Sequence, residues 1–272
     1  MKLLTLAGKV CRAFTDDQAT GLRTIQKVKN DHSRDVVTAL DMRLHALSAL
    51  FVVEYLPGYT LLSEESEQSE WKANRLRRGQ LLVVDPLDGS SNYALGLPHF
   101  GYMAAQLSDG QIEATLVVLP EHDQYLLADS RSLLTSQPLP TPGNPRGTVY
   151  YAYPPKQDAA ARQVRMDLLD LIDAESSGLY RSGSACVGLY QLLCGQHQAF
   201  FGHAVRIWDA LAYLPVLAAQ GIHIRYAFQG QSMHLLASRR NNLVEAAESI
   251  LACQGLRFNP YALGDVLIVE ET

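Results

Sequence analysis

Two aspartates stand three residues apart within residues 81–93, LLVVDPLDGSSNY. The four apolar residues that open this segment predict a buried strand. Pro86 disfavours the helical region for Asp85, which we therefore expect to stay extended at the tip of the strand. A sharp turn there can bring the carboxylate of Asp88 back beside that of Asp85, with the Leu87 carbonyl between them. Such hard oxygen ligands suit Mg²⁺.

The residues that follow could bind phosphate. Gly89 has no Cβ, so a ligand can approach its backbone closely. The N–H groups of Gly89 and Ser90, with the neighbouring hydroxyls, form a concavity suited to phosphate. A metal site and a phosphate site within one octapeptide suggest a metal-assisted phosphatase. The alternative is a strand followed by an ordinary Asp/Gly/Ser turn, but the ordered octapeptide is more specific than a lone glycine-rich pattern.

Three segments together resemble the signatures of the inositol monophosphatase and fructose-bisphosphatase superfamily of Mg²⁺-dependent, lithium-sensitive phosphatases. They are Ser63-Glu64-Glu65-Ser66, residues 85–92 and residues 208–213 (WDALAY), in the family's order and at similar spacing. The similarity runs through nearly the whole chain. It implies a mixed α+β or α/β fold, the layered αβαβα sandwich of these phosphatases. It also implies Mg²⁺ as cofactor, a small phosphorylated substrate and, commonly, a homodimer.

The resemblance assigns metal ligands residue by residue. Glu64, Asp85 and the Leu87 carbonyl would hold a first Mg²⁺. Asp85, Asp88 and Asp209 would hold a second. Whether two or three metal ions bind stays open.

The resemblance also implies catalytic roles around the attacking water. Glu64 and Ser90 would orient and deprotonate it, with Thr38 and Asp41 behind them, and Glu65 would be a companion acid. No phosphoenzyme is needed, so Ser90 would position water rather than act as a nucleophile. Taken alone, Thr38 and Asp41 would instead be interpreted as a helix N-cap and a first-turn acid.

The substrate contacts implied by the family are backbone and hydroxyl groups. The matching residues are Leu87, Asp88, Gly89, Ser90, Gly183, Ser184, Ala185 and Asp209. His203 and Arg206 are further candidates because they precede the Trp208-Asp209 pair. The inositol-specific branch has a glutamate where this chain has Gly202, which weakens the case for an inositol phosphate. A family lysine has no clean match, since strict spacing gives Asn30 and the nearest lysine is Lys29.

Composition limits the class of protein. The 272 residues are 47% apolar and carry a formal net charge of −5, which argues against a nucleic-acid surface. The longest apolar runs fall short of the roughly 20 residues that a membrane helix needs. The four cysteines are widely spaced and predict neither a disulfide framework nor a zinc site. We therefore expect a cytoplasmic protein without a membrane partner.

Hydrophobic periodicity and turn residues predict the surrounding elements. These are a helix over 2–14, a polar connection over 15–24, strands over 58–63, 102–107, 111–119 and 124–128, a helix over 208–220 and a last strand over 266–269. The linker 135–147 holds four prolines and two glycines. We place a domain boundary there, between an N-terminal α+β domain (1–140) with metal-binding carboxylates and a C-terminal α/β domain (141–272) that supplies Asp209.

The sequence predicts a phosphoric monoester hydrolase that acts on an inositol phosphate, a sugar phosphate or a similar small ester by metal-activated water. One alternative keeps the fold and hydrolyses the nucleotide 3′-phosphoadenosine 5′-phosphate. Another, from a different class, is an inactive phospholigand-binding scaffold. The presence of every inferred metal ligand argues against the inactive alternative.

Overall fold

A computed structural model describes residues 2–20, 23–28, 36–66, 73–140, 147–153 and 159–269. Within these ranges the helices are α1 (Lys2–Thr20), α2 (Ala39–Tyr55), α3 (Ser90–Leu95), α4 (Ala159–Glu175), α5 (Ala185–Leu193), α6 (Tyr213–Ala219) and α7 (Asn241–Ala252). The strands are β1 (Ile25–Val28), β2 (Val36–Thr38), β3 (Thr60–Ser63), β4 (Gln80–Asp88), β5 (Gly101–Ser108), β6 (Gln111–Leu119), β7 (Gln124–Asp129), β8 (Leu133–Thr135), β9 (Thr148–Ala152), β10 (Leu179–Tyr180), β11 (His197–Arg206), β12 (His223–Gln229), β13 (Ser232–Ser238) and β14 (Asn259–Pro260).

The first sheet has the strand order β3-β4-β5-β6-β7-β8. β3 runs parallel to β4, and every other neighbouring pair is antiparallel. The turns of the meander contain Asp109, Gly110 and Asp123, which all have positive φ, as short connections of this kind require. The antiparallel meander predicted from the sequence is therefore present, and it extends the sheet that carries Asp85.

The second sheet has the order β10-β9-β11-β13-β12-β14. β9 is parallel to both β10 and β11, whereas β11, β13, β12 and β14 pair antiparallel. β11 is bulged between Gly202 and Val205. Ala204 has φ +54° within this bulge, and the strand then delivers Arg206 to the turn that carries Asp209.

Three apolar clusters arrange these elements in five layers. One cluster packs α1 and α2 on the outer face of the first sheet. The largest cluster buries α5 and α6 between the two sheets. The third packs α4 and α7 against the outer face of the second sheet. The chain is thus a helix–sheet–helix–sheet–helix sandwich, as predicted.

Several predicted boundaries were wrong. α1 continues to Thr20, through much of the expected polar connection. Its buried residues end at Phe14, and beyond them Asp16 pairs with Arg43 at 2.9 Å and Gln18 donates to Glu121 at 2.9 Å. Asp209 does not begin a long helix. It closes a 3₁₀ turn, Ile207–Asp209, and α6 starts only at Tyr213.

The predicted strand over 266–269 is also absent. One isolated bridge joins Val266 to Gln111, and Val266 is exposed on its other side. A single bridge does not make a strand.

All four cysteines are free thiols. Across the residues described, no helix combines the length and the hydropathy that crossing a bilayer requires. Residues 141–146 of the linker, and Lys29 and Asn30, lie outside the described ranges. The boundary proposed near residue 140 separates the sequences of the two sheets, but one apolar cluster contains residues of both.

Candidate functional site

A bulge in β4 brings the two aspartates of the central motif together. The sequence predicted a turn after Asp85, but the strand continues to Asp88. Asp85 pairs with Met103 and Asp88 pairs with Gly101, so β4 contains one residue more than β5 between these two pairs. Residues three apart in a regular strand point to opposite faces, and one extra residue restores both to the same face.

Gly89 makes the turn that follows. Its φ is +85°, and a Cβ on it would collide with the backbone oxygen of His99. α3 begins directly after it. Asn92 then donates its side-chain amide to His99 O at 2.7 Å and to Ser182 O at 3.0 Å, which ties this turn to the segment before α5.

Three carboxylates converge beside the bulge. Ligand oxygens of Asp85, Asp88 and Asp209 all lie within 4.8 Å of one another. Asp85 and Asp88 are buried and Asp209 is half-buried. Among the residues that the structure describes, this is the one such cluster of metal-ligating side chains.

The carboxylates oppose one another's ionisation. Burial, followed by repulsion from Glu64, Asp88 and Asp209, raises the pKa of Asp85 well above its ordinary value. Burial and repulsion from Asp88 and Glu64 likewise raise the pKa of Asp209, although the Arg206 N–H donates to its Oδ2 at 3.2 Å. A cation between these oxygens would remove the repulsion.

Asp88 is held by the start of α5. Cys186 N–H donates to its Oδ2 at 2.9 Å and Ala185 N–H to its Oδ1 at 3.3 Å. The Ser184 hydroxyl also donates to Oδ2, and it caps α5 by accepting from Val187 N–H at 3.2 Å. Burial raises the pKa of Asp88 to about 6, although these hydrogen bonds favour the charged form. The positive end of α5 therefore faces Asp88.

Ser90, Asp41 and Thr38 form a chain of hydrogen bonds. The Ser90 hydroxyl lies 2.7 Å from Asp41 Oδ1 and 2.8 Å from Leu87 O. Thr38 N–H and its hydroxyl both donate to Asp41 Oδ2, at 2.7 and 2.6 Å. Thr38 is at the same time the N-cap of α2 in a capping box with Asp41. The N-cap interpretation is therefore confirmed, and the catalytic role of the pair stays a prediction; Thr38 reaches Ser90 through Asp41.

Glu64 and Glu65 follow β3 in a tight turn. Glu64 N–H donates to Val84 O at 3.0 Å, which fixes this turn beside β4. The Glu64 side chain shares a hydrogen bond with Asp85, and this raises the pKa of Asp85 further. The charge on Glu65 raises the pKa of Asp41, so Glu65 faces α2. Glu64 therefore interacts with Asp85, whereas Glu65 interacts with Asp41.

A cavity of about 440 Å³ opens from Asp88 and Asp209. Its wall includes the predicted substrate-contact residues Gly183, Ser184 and Ala185. The remaining lining residues are Tyr150, Ala152, Tyr153, Arg181, Ala204, Val205, Arg206 and Ser232. The volume lies within the usual range of small-molecule sites.

Of the two further candidates, Arg206 lines the cavity and His203 does not. His203 is buried, and its ring nitrogens lie 3.4 Å from Tyr151 Oη and 3.2 Å from Gln254 Oε1. Sequence position alone does not distinguish these two candidates, because both precede Trp208. In β11 the intervening bulge turns only Arg206 towards the cavity.

Other residues of the site had no assigned role. Arg181 stands directly before the Ser182-Gly183-Ser184 segment, and its position beside a predicted contact was a usable signal. Cys186 acts through its backbone N–H, so its side chain carried no signal. Tyr213 is buried and donates its hydroxyl to Cys186 O at 2.7 Å.

Comparison with known proteins agrees with this architecture. The family model described as "Inositol monophosphatase family" matches residues 3–257. A relative from Vibrio cholerae serotype O1, named Nus factor SuhB, is 24% identical over 220 residues, which cover 77% of this chain and 79% of the relative.

Two solved structures share the fold. The extragenic suppressor protein suhB from Bartonella henselae superposes with a TM-score of 0.73 at 20% identity and covers 92% of this chain and 96% of its own. An IMPase/NADP phosphatase complexed with Mg²⁺ and phosphate superposes with a TM-score of 0.69 at 16% identity and covers 90% and 96%.

Proposed function

Since the chain belongs to the inositol monophosphatase family, we propose that it is a Mg²⁺-dependent phosphatase that hydrolyses small phosphate monoesters. The observation that supports this most is the convergence of Asp85, Asp88 and Asp209, whose oxygens lie within 4.8 Å of one another beside an open cavity. Carboxylates brought together from such distant parts of the chain need a reason, because their repulsion opposes folding.

The donor set fits a hard divalent cation. Asp85, Asp88, Asp209, Glu64 and the Leu87 carbonyl offer only oxygen, and Mg²⁺ prefers oxygen ligands. Burial raises the pKa values of all three aspartates, and repulsion from neighbouring carboxylates raises those of Asp85 and Asp209 further, so a bound cation would stabilise their charged forms. Bound there, Mg²⁺ would lower the pKa of a water and neutralise charge on phosphate oxygens.

The attacking water would be oriented by Glu64 and Ser90. The Ser90 hydroxyl lies 2.7 Å from Asp41 Oδ1, and when it donates there its oxygen lone pairs can accept from a water. Asp41 is buried and bonded to Thr38, so it can hold Ser90 in this orientation. Burial raises the pKa of Asp41, which also makes it a better proton acceptor.

The attacking water and the leaving oxygen would lie on opposite sides of the phosphorus. We assign the phosphate to the N–H groups of Gly89 and Ser90 at the start of α3. The leaving oxygen would lie near Asp209, and the organic part of the substrate would occupy the cavity beside Gly183, Ser184 and Ala185. We also propose a homodimer and inhibition by lithium, and only the family membership supports these two points.

A malachite-green assay across Mg²⁺ concentrations tests the function. Inositol 1-phosphate, fructose 1,6-bisphosphate and 3′-phosphoadenosine 5′-phosphate form the panel. We expect Mg²⁺-stimulated release of phosphate from at least one ester, and a loss of at least about 10³-fold in Asp85→Asn, which removes a shared ligand charge with little change in shape. Asp167→Asn on α4 is the matched control and should retain full activity.

Two outcomes would contradict the proposal. No Mg²⁺-stimulated release from any ester would instead support the inactive phospholigand-binding alternative. Retention of most activity in Asp85→Asn would refute the assignment of Asp85 as a metal ligand.

A further inference from the structure

Two arginines line the cavity beyond the carboxylates. Arg181 precedes α5 and Arg206 ends β11, so they approach the cavity from different parts of the second half of the chain. Among the described residues that line it, the acids are only Asp88 and Asp209, which the proposed function assigns to metal. The cavity therefore carries two positive charges in addition to the carboxylates.

Both guanidinium groups are held in place. Arg181 Nη2 donates to Tyr153 O at 2.7 Å, and its Cζ lies 4.0 Å from the centre of the Tyr153 ring. Arg206 Cζ lies 5.9 Å from the Trp208 ring centre. Stacking fixes the plane of a guanidinium but leaves N–H groups on its edge available for an anion.

Arginines elsewhere in the chain are neutralised differently. Arg43, Arg225 and Arg240 each lie within 3.3 Å of a carboxylate oxygen of Asp16, Glu248 and Glu175, respectively. Within the described ranges no such side-chain partner lies within ion-pair distance of Arg181 or Arg206. Two arginines that line one cavity, with no carboxylate of the described residues within ion-pair distance, suit an anionic group of a ligand.

Among the described residues that line the cavity, β11 supplies no carboxylate. A carboxylate on β11 could accept hydrogen bonds from sugar hydroxyls, but this position is Gly202. A Cβ there would lie 3.0 Å from Phe200 Cε1 and 3.3 Å from both Cγ atoms of Val205. The packing thus leaves little room for a side chain at residue 202.

We propose that the preferred substrate carries a second anionic group on its leaving-group side, bound by Arg181 and Arg206. This inference rests on the proposed function, because it places the scissile phosphate at the carboxylates. The second group is a phosphate, sulfate or carboxylate, and the arginines discriminate against esters whose alcohol part is neutral. They act on binding and take no part in proton transfer.

Paired substrates test the inference. The pairs are fructose 1,6-bisphosphate with fructose 1-phosphate, and 3′-phosphoadenosine 5′-phosphate with adenosine 3′-monophosphate. We expect kcat/KM to be at least about tenfold higher for the doubly anionic member of one pair. Arg181→Gln and Arg206→Gln should each lower that value about tenfold or more, mainly through KM, because each variant loses a charge-assisted hydrogen bond to the second anionic group. For the pair member with one phosphate group, kcat/KM should change less than about twofold.

Controls separate charge from structure. Arg206→Lys should retain part of the preference, and Arg225→Gln, which removes a cation paired with Glu248 outside the cavity, should retain all of it. The Mg²⁺ concentration for half-maximal activity should not move in either cavity variant. A shift of that concentration in both variants, or an equal loss for both members of a pair, overturns the inference.

A binding measurement keeps the inference separable from the proposed function. Calorimetric titration of the same pairs into Ca²⁺-loaded protein yields Kd values whether or not turnover occurs. Preference for the doubly anionic members, lost in Arg206→Gln, supports the inference even if no ester is hydrolysed. Equal Kd values within both pairs overturn it even if the phosphatase is active.

Discussion

The two walls of the cavity differ in charge, in burial and in the way the chain holds them. The acidic wall consists of Asp88 and Asp209, which line the cavity, together with the buried Asp85, whose ligand oxygen lies within 4.8 Å of theirs. The basic wall consists of Arg181 and Arg206, which are exposed and lie near aromatic rings. The acids repel one another inside the protein, whereas the arginines remain in contact with water.

This difference separates two energetic roles. Buried like charges destabilise a fold that holds no cation, so their cluster opposes folding until metal binds. Exposed arginines lose little solvation and barely affect stability, yet they can bind an anion that enters the cavity. We therefore expect changes on the acidic wall to affect stability and turnover together, and changes on the basic wall to affect substrate preference alone.

The largest expected effect comes from Asp209→Asn. The variant removes one carboxylate that reaches the cluster from the second half of the chain. Because its charge would hold a metal ion near the leaving oxygen, kcat with Mg²⁺ should fall at least about 10³-fold. In EDTA the thermal unfolding midpoint should rise, because the repulsion from Asp88 and Glu64 disappears.

An exposed acid is the appropriate comparison for Asp209. Asp265→Asn removes a carboxylate that accepts from Ala262 N–H at 2.7 Å in a surface turn. This variant should change neither kcat with Mg²⁺ nor the unfolding midpoint in EDTA appreciably. If Asp209→Asn lowered the unfolding midpoint in EDTA, the repulsion between the acids would not be the dominant force at this wall.

The second effect is the pH dependence of stability without metal. Because the folded protein raises the pKa of Asp85 above its ordinary value, the group stabilises the fold only while protonated. Its contribution is complete below the unfolded pKa of about 3.9 and is lost as pH rises through the folded value. The penalty from ionising Asp85 should thus grow from pH 4.5 to 7.5 in the wild type, and Asp85→Asn should lack this part of the pH dependence.

The pH dependence of Asp85→Asn must be compared with that of the wild type, because buried histidines also make stability depend on pH. Burial lowers the pKa of His197 to about 4 and that of His234 to about 3, so both destabilise the fold as pH falls below their ordinary value of 6.5. Both histidines are present in wild type and in Asp85→Asn, and their contribution cancels in the difference between unfolding midpoints. Millimolar Mg²⁺ should reverse the sign of that difference at pH 7.5.

The sequence was informative wherever one short segment contains the chemistry. Asp85 and Asp88 were identifiable from their spacing after an apolar strand. Their shared face, however, results from a bulge that exists only because β4 pairs with β5, and local residues do not specify that register. The pattern therefore predicted a turn in place of the bulge.

Contacts between distant segments were less accessible still. Asp88 accepts from Cys186 N–H and Asn92 donates to Ser182 O, and neither partner follows from the residues alone. The 3₁₀ turn at Asp209 was missed for a similar reason, because the buried apolar residues on both sides of it fit one helix as well as two short turns. Arg181 was visible as a neighbour of Gly183, but its orientation depends on Tyr153.

The smallest of these effects probes the acidic wall without removing a carboxylate. Ser90→Ala deletes the hydroxyl that lies between Asp41 Oδ1 and Leu87 O. A water-positioning role predicts that kcat falls about 10²-fold while KM and the Mg²⁺ requirement change little, since general acid–base and positioning groups commonly contribute 10²–10⁴-fold. Ser90→Thr should restore most activity because it returns the hydroxyl, and Ser249→Ala on α7 should have no effect. If Ser90→Ala raised only KM, Ser90 would act in substrate binding, and Asp41 would lose its connection to the water.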